Sequence, residues 1–115
     1  MSRTESARLR HRLDAAKEAV GFAQGKSRSD LDFDRLLNLA LVRLIEIVGE
    51  AAGGLSTELQ GKHPQIPWLD IVGMRHRLIH GYDEIDFDIV WQVVTNDLPP
   101  LIEQLKHILS VGPDE

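Results

Sequence analysis

The 115-residue chain is 43% hydrophobic and 27% charged, the balance of a globular protein with room for one core, so a single domain over residues 1–115 is expected. A formal charge of −5 argues against a general nucleic-acid binder. The lack of cysteine removes disulfide frameworks, thiolate metal sites and cysteine nucleophiles.

Charge is unevenly spread: residues 1–28 carry seven Lys/Arg against three Asp/Glu, and residues 81–115 one against eight. A local basic surface is thus available to a short phosphate backbone. The opening Met1-Ser2-Arg3-Thr4-Glu5 has no apolar core behind its charges, unlike a secretory signal. The longest apolar region, Leu36 to Ala52, is broken by Arg43, Glu46 and Glu50 and is too short for a bilayer. A cytoplasmic chain with no membrane segment is the expectation.

Ser2 to Glu5 has capping-box spacing, and Leu9, Leu13, Ala16 and Val20 follow at helical intervals, which predicts a first helix to about Gln24 ended by Gly25. Arg8, Arg10 and Arg12 fall mostly off that apolar line. They read as a solvated face, with RNA contact by Arg8 and Arg12 as the functional alternative. Lys26 to Asp34 is polar and turn-like, and a second helix is expected from near Phe33. From Leu36 to Ala52 almost every position is apolar, while Arg43, Glu46 and Glu50 form one polar strip. Such a helix is buried on most sides, either by the chain's own helices or by a second copy in a homodimer.

Gly53-Gly54 loosens or stops that helix, Leu55 to Gln60 adds one or two turns, and Gly61 to Gln65 reads as a loop. Pro67 suits the first turn of a further helix that should end at Gly81. Asp86 is placed to cap the last helical region, whose stripe is Phe87, Val90, Trp91, Val94, Leu98, Leu101, Leu105 and Ile108. Asn96-Asp97-Leu98-Pro99-Pro100 predicts a kink or a restart within it. No segment alternates like a strand, so the expected fold is an all-α bundle of four or five helices.

The chemistry-bearing stretch is Arg75-His76-Arg77-Leu78-Ile79-His80-Gly81-Tyr82. On one ideal helix over 68–80, Arg75 falls within an apolar arc of Trp68, Ile71, Val72, Met74, Leu78 and Ile79. A guanidinium there needs a carboxylate such as Glu46 or Glu50, a phosphate, or a partner subunit. His80 lies about 140° further round the helix, so the two meet only at a helix end or across a dimer. His76 and His80 are one turn apart, but no third ligand stands at a fixed spacing, so a metal site is weakly indicated. His11, His63 and His107 read as surface residues. No serine triad and no glycine-rich phosphate loop is present, and no cofactor is indicated.

An Arg and His pair suits metal-free cleavage of RNA. Histidine titrates near neutrality and can move the proton of the ribose 2′-hydroxyl or of the leaving oxygen, while arginine stabilises the added negative charge. Arg75, four residues and His80 match the Arg-X4–6-His motif, with a polar His76 after the arginine. The sequence therefore resembles the HEPN superfamily, and Tyr82 extends the likeness to its HepT-like branch. Ile47-Val48-Gly49-Glu50-Ala51-Ala52, Ile66-Pro67-Trp68, and Ile89-Val90-Trp91 through Asn96-Asp97-Leu98-Pro99 are similar to that branch as well, over about residues 30–110. Gly53-Gly54, where relatives often carry bulkier residues, departs from it.

The resemblance implies a helical homodimer acting as a metal-independent endoribonuclease toxin, with its Arg-His pairs in the cleft between subunits. It also implies a minimal nucleotidyltransferase antitoxin that attaches AMP to the tyrosine of the motif. Arg75 would stabilise the phosphate, His80 act as acid and base, His76 assist, Tyr82 accept the AMP, and Arg77 join Arg8 and Arg12 in contacting RNA. RNA is the expected substrate and DNA is not. A non-catalytic module that binds RNA or a nucleotide, or docks a partner, is the other reading.

Overall fold

A computed structural model describes residues 2–50, 55–79 and 84–110. The expectations for Gly53-Gly54, His80, Gly81 and Tyr82 lie outside them. The fold is all-α, as the sequence pattern predicts, and no named strand occurs among the described residues.

The first helix, α1 (Arg3–Ala23), begins with the capping box that its sequence predicts. Ser2 Oγ accepts from Glu5 N, and Glu5 Oε1 accepts from Ser2 N. Gly25, at φ 76°, follows its end in the left-handed region. The polar stretch after it contains one separate turn, α2 (Asp30–Phe33), before α3 (Arg35–Glu50). Buried Asn38 joins the two by donating from Nδ2 to Leu31 O at 2.9 Å. The helix α4 (Thr57–Lys62) runs through Gly61, where a loop was expected, because Ser56 caps it and no proline intervenes before residue 64.

The predicted single helix from Pro67 to Gly81 is instead two short pieces, α5 (Trp68–Val72) and α6 (Met74–Leu78), hinged at Gly73. Pro67 precedes α5 as its cap, and Ile79 leaves α6 in extended conformation to form an isolated antiparallel bridge with Ile85. Asp86 N donates to Leu78 O at 2.7 Å beside that bridge. Asp86 also caps α7 (Phe87–Gln92), its Oδ1 accepting from Asp88 N and Ile89 N.

Helix α7 continues through a π-helical turn, Val93–Asp97, into α8 (Leu98–Ser110). Pro99 and Pro100 supply no N–H, so the helix widens upstream to a bond from Leu98 N to Val93 O instead of breaking. The two prolines enter the first turn of α8, as the restart reading expects.

Helix α1 packs chiefly on α3 and α8, while α6 packs on α3 and α7. Leu9, Leu13, Ala16, Leu41, Ile45, Val48, Leu98, Leu105 and Ile108 belong to one contiguous core. Two contacts position the α5–α6 pair. Trp68 Nε1 donates to Gln60 O at 3.1 Å and His63 O at 3.0 Å, and Gly49 of α3 brings its backbone against Ile71 O. A Cβ at residue 49 would stand 3.0 Å from that oxygen, so glycine allows the approach without the carbonyl having to give way. The chain's own helices leave part of α3 uncovered, in line with the width of its apolar surface: Leu36 is 81% exposed and Leu39 is half exposed. The polar strip forms as expected, with Arg43 Nη1 at 3.7 Å from Glu46 and 3.2 Å from Glu50.

Candidate active site

Arg75 lies on α6, and the hinge at Gly73 alters its setting. An uninterrupted helix would aim it into the core; after the hinge its side chain is 62% exposed. Val72 and Ile79 are also partly exposed, whereas Trp68, Ile71, Met74 and Leu78 keep the buried face. Arg75 Nε stands 3.7 Å from Glu46 Oε2 on α3. This is the carboxylate partnership considered from sequence, but it is long and open to water, so it holds the guanidinium loosely. Val42, Glu46, Arg75, Leu78, Ile79 and Ile85 together line a pocket of about 230 Å³. The Ile79–Ile85 bridge forms its edge.

His76 is exposed on α6 beside Arg75. His80 and Tyr82 follow the bridge in sequence and lie outside the described residues. Arg77 points elsewhere: its Nη1 donates to Asp97 Oδ2 at 3.3 Å, tying α6 to the π turn. Arg8 is exposed on α1, an element with no substantial contact to α6, so it does not join Arg75 in one compact site.

Arg12 requires a correction. It was expected on the surface as an RNA contact, yet it is 0% exposed. Its Nε, Nη1 and Nη2 have no hydrogen-bond partner among the described residues. Burial alone pulls its guanidinium from the ordinary arginine value down to about 10. The cause is readable on a helical wheel. Residue 12 stands 60° from Leu9 and 40° from Ala16, inside the apolar arc. Its charge obscured its angle.

The wide apolar surface of α3 pointed to faces that the chain's own helices leave uncovered. Leu36 and Leu39 on α3, and Leu69, Val72 and Ile79 around α5–α6, are large apolar side chains left to solvent.

Comparison with known proteins gives this geometry a family. The family model described as Ribonuclease HepT-like matches residues 12–108. A protein of Caldanaerobacter subterraneus subsp. tengcongensis named "Putative RNase TTE0752" is 37% identical over 89% of this chain and 91% of its own. "Putative RNase MJ0127" of Methanocaldococcus jannaschii is 30% identical over 90% of this chain and 87% of its own. "Probable ribonuclease HepT" of Thermococcus cleftensis is 32% identical over 77% and 84% respectively. No solved structure matches the chain. No helix among the described residues is long and apolar enough to cross a membrane. With the matched span covering α3, Arg75 and α7–α8, the chain belongs to the ribonuclease HepT-like family.

Proposed function

We propose that the protein is a metal-independent endoribonuclease in which Arg75 binds the scissile phosphate and His80 transfers protons. The observation that carries this reading is the exposed Arg75 guanidinium in its pocket, held only loosely by Glu46. A phosphate can replace that carboxylate with better geometry, because a planar guanidinium offers paired donors. His80 takes the proton of the ribose 2′-hydroxyl, whose oxygen attacks phosphorus. The P–O5′ bond breaks, and His80 passes the proton on to the leaving oxygen, giving a 2′,3′-cyclic phosphate and a free 5′-hydroxyl. Arg75 stabilises the extra negative charge, and exposed His76 assists.

The biological reading is a toxin silenced by a minimal nucleotidyltransferase that attaches AMP to Tyr82, acting in the cytoplasm as a homodimer. The bared Val72 and Ile79, which flank Arg75 in sequence, support the dimer, since a second copy covering them would bring its own Arg75 toward the same cleft. Cleavage of single-stranded RNA in excess EDTA by the wild type, and its loss in folded Arg75→Ala and His80→Ala proteins, tests the chemistry. Activity abolished by EDTA would overturn the metal-free step. The chain's charge of −5 favours a second reading, a non-catalytic nucleotide or partner-docking module. That reading requires no cleavage by the wild type.

A further inference from the structure

A cleft of about 600 Å³ opens on the other flank of α6, between α5–α6 and the π turn with the start of α8. Its volume is that of a small-molecule site. Buried Ile71, Met74 and Leu101 give it an apolar floor, and Asp70, Arg77 and Asn96 stand on its walls. The side chains of Asp70 and Asn96 make no hydrogen bond or ion pair among the described residues, so both are open to a ligand. The π turn carries Asn96 to this cleft, and such turns concentrate at functional sites.

The donor and acceptor set restricts the occupant. Two carboxylates, Asp70 and the Asp97 that pairs with Arg77, oppose a single guanidinium, so a free anion is a poor fit. A planar, neutral group with apolar faces and a polar edge is a good one, which describes a nucleobase. Guanine alone among the four bases of RNA offers two adjacent donors, N1–H and the 2-amino group, for a carboxylate such as Asp70. Its O6 and N7 then accept from Arg77 or the Asn96 amide. Arg77 lies two residues after Arg75, about 200° round α6, and a helix with its side chains is about 10–12 Å across. A strand passing over this one turn places a phosphate at Arg75 and a neighbouring base in the cleft.

We propose that the cleft between α6 and α8 takes an unpaired guanine of the RNA strand next to the bond cleaved at Arg75. This rests on the ribonuclease reading above. The full chain is titrated by NMR with GMP, AMP, CMP and UMP, and with a single-stranded hexanucleotide containing one guanine. The methyl signals of Met74, Ile71 and Leu101 report on the cleft.

GMP is expected to shift these signals with at least tenfold preference over the other nucleotides, and the hexanucleotide to bind tighter than GMP. Asp70→Asn and Asn96→Ala, checked for folding by circular dichroism, should each weaken GMP about tenfold. Both should also flatten a guanine preference in the cleavage map of a mixed-sequence RNA. Equal response to all four nucleotides, or none at these methyls, overturns the pocket even if RNA is still cleaved. GMP binding as tight as the hexanucleotide overturns the RNA assignment in favour of a free nucleotide. Guanine-selective binding of the hexanucleotide without any RNA cleavage upholds the base pocket and removes the ribonuclease reading instead.

Discussion

Replacing Arg12 by methionine should make the protein more stable. Its guanidinium is fully buried with no hydrogen-bond partner among the described residues. The fall from the ordinary arginine value to about 10 corresponds to about 3 kcal/mol against the charged form in the fold. Methionine is similarly long, unbranched and apolar, so it refills the space without the charge. Part of the relief is lost to imperfect packing, which leaves an expected net gain of about 1–3 kcal/mol. For a chain of this size that raises the melting temperature by about 4–12 °C.

The pH dependence carries a second signature. The folded value lies below the unfolded one, so the charge destabilises the fold at all pH below about 10, and the cost disappears as pH rises from there toward the ordinary arginine value. The difference between wild type and Arg12→Met should therefore be constant from pH 6 to 9 and shrink above 10. Urea unfolding followed by circular dichroism across that range measures it. A variant less stable than wild type by more than about 1 kcal/mol would refute the reasoning, since Arg12 would then have a partner in solution. Arg12→Ala should gain less than Arg12→Met, because it leaves a cavity.

Arg75→Ala should lower kcat for RNA cleavage by at least about a hundredfold while leaving the melting temperature within about 2 °C, because its side chain is largely exposed. Glu46→Gln removes the carboxylate that competes with phosphate for Arg75, so KM for RNA should fall about two- to fivefold at low salt, with the gain fading as salt rises. Gly49→Ala should destabilise by about 1–3 kcal/mol, seen as a lower urea midpoint, since its Cβ meets the Ile71 carbonyl at 3.0 Å and backbone cannot easily yield. Glu5 is held below its ordinary value, first by its hydrogen bonds from Ser56 and also by that from Ser2. Its stabilisation is therefore present above the ordinary value and lost as pH falls through the folded one. Glu5→Gln should cost about 0.5–1 kcal/mol at pH 7, with the difference closing in acid melts.

What could be read from the residues alone divides along a physical line. Local signals were legible: the Ser2–Glu5 box, the Gly25 stop, the Asp86 cap and the apolar stripe of α7–α8 depend on neighbours a few residues apart. Extrapolation failed where a short irregularity rephased a helix. Gly73 turns the second half of the predicted 68–80 helix, so an Arg75 expected to face inward is exposed. The partnership with Glu46 could be anticipated because composition leaves few acids on α3, and so could an uncovered apolar surface there, but not that Leu36 and Leu39 would be the residues bared, since that depends on where the other helices dock. Arg12 shows the opposite weakness: its angle on the helix was available, and the habit of placing arginine outside outweighed it.

The π turn at Val93–Asp97 also makes the length of the last helix a matter of register. It accommodates one residue more than a regular ladder would, so the turns before it are set about 100° away from where α8 alone would project them. Deleting a single residue there, Thr95 for example, would not trim a loop. It would swing α7 about its axis, taking Asp88 away from the Arg28 Nε it meets at 2.6 Å and turning buried Val90 out of the core. A helix of this kind tolerates exchange of side chains far better than the loss of a position.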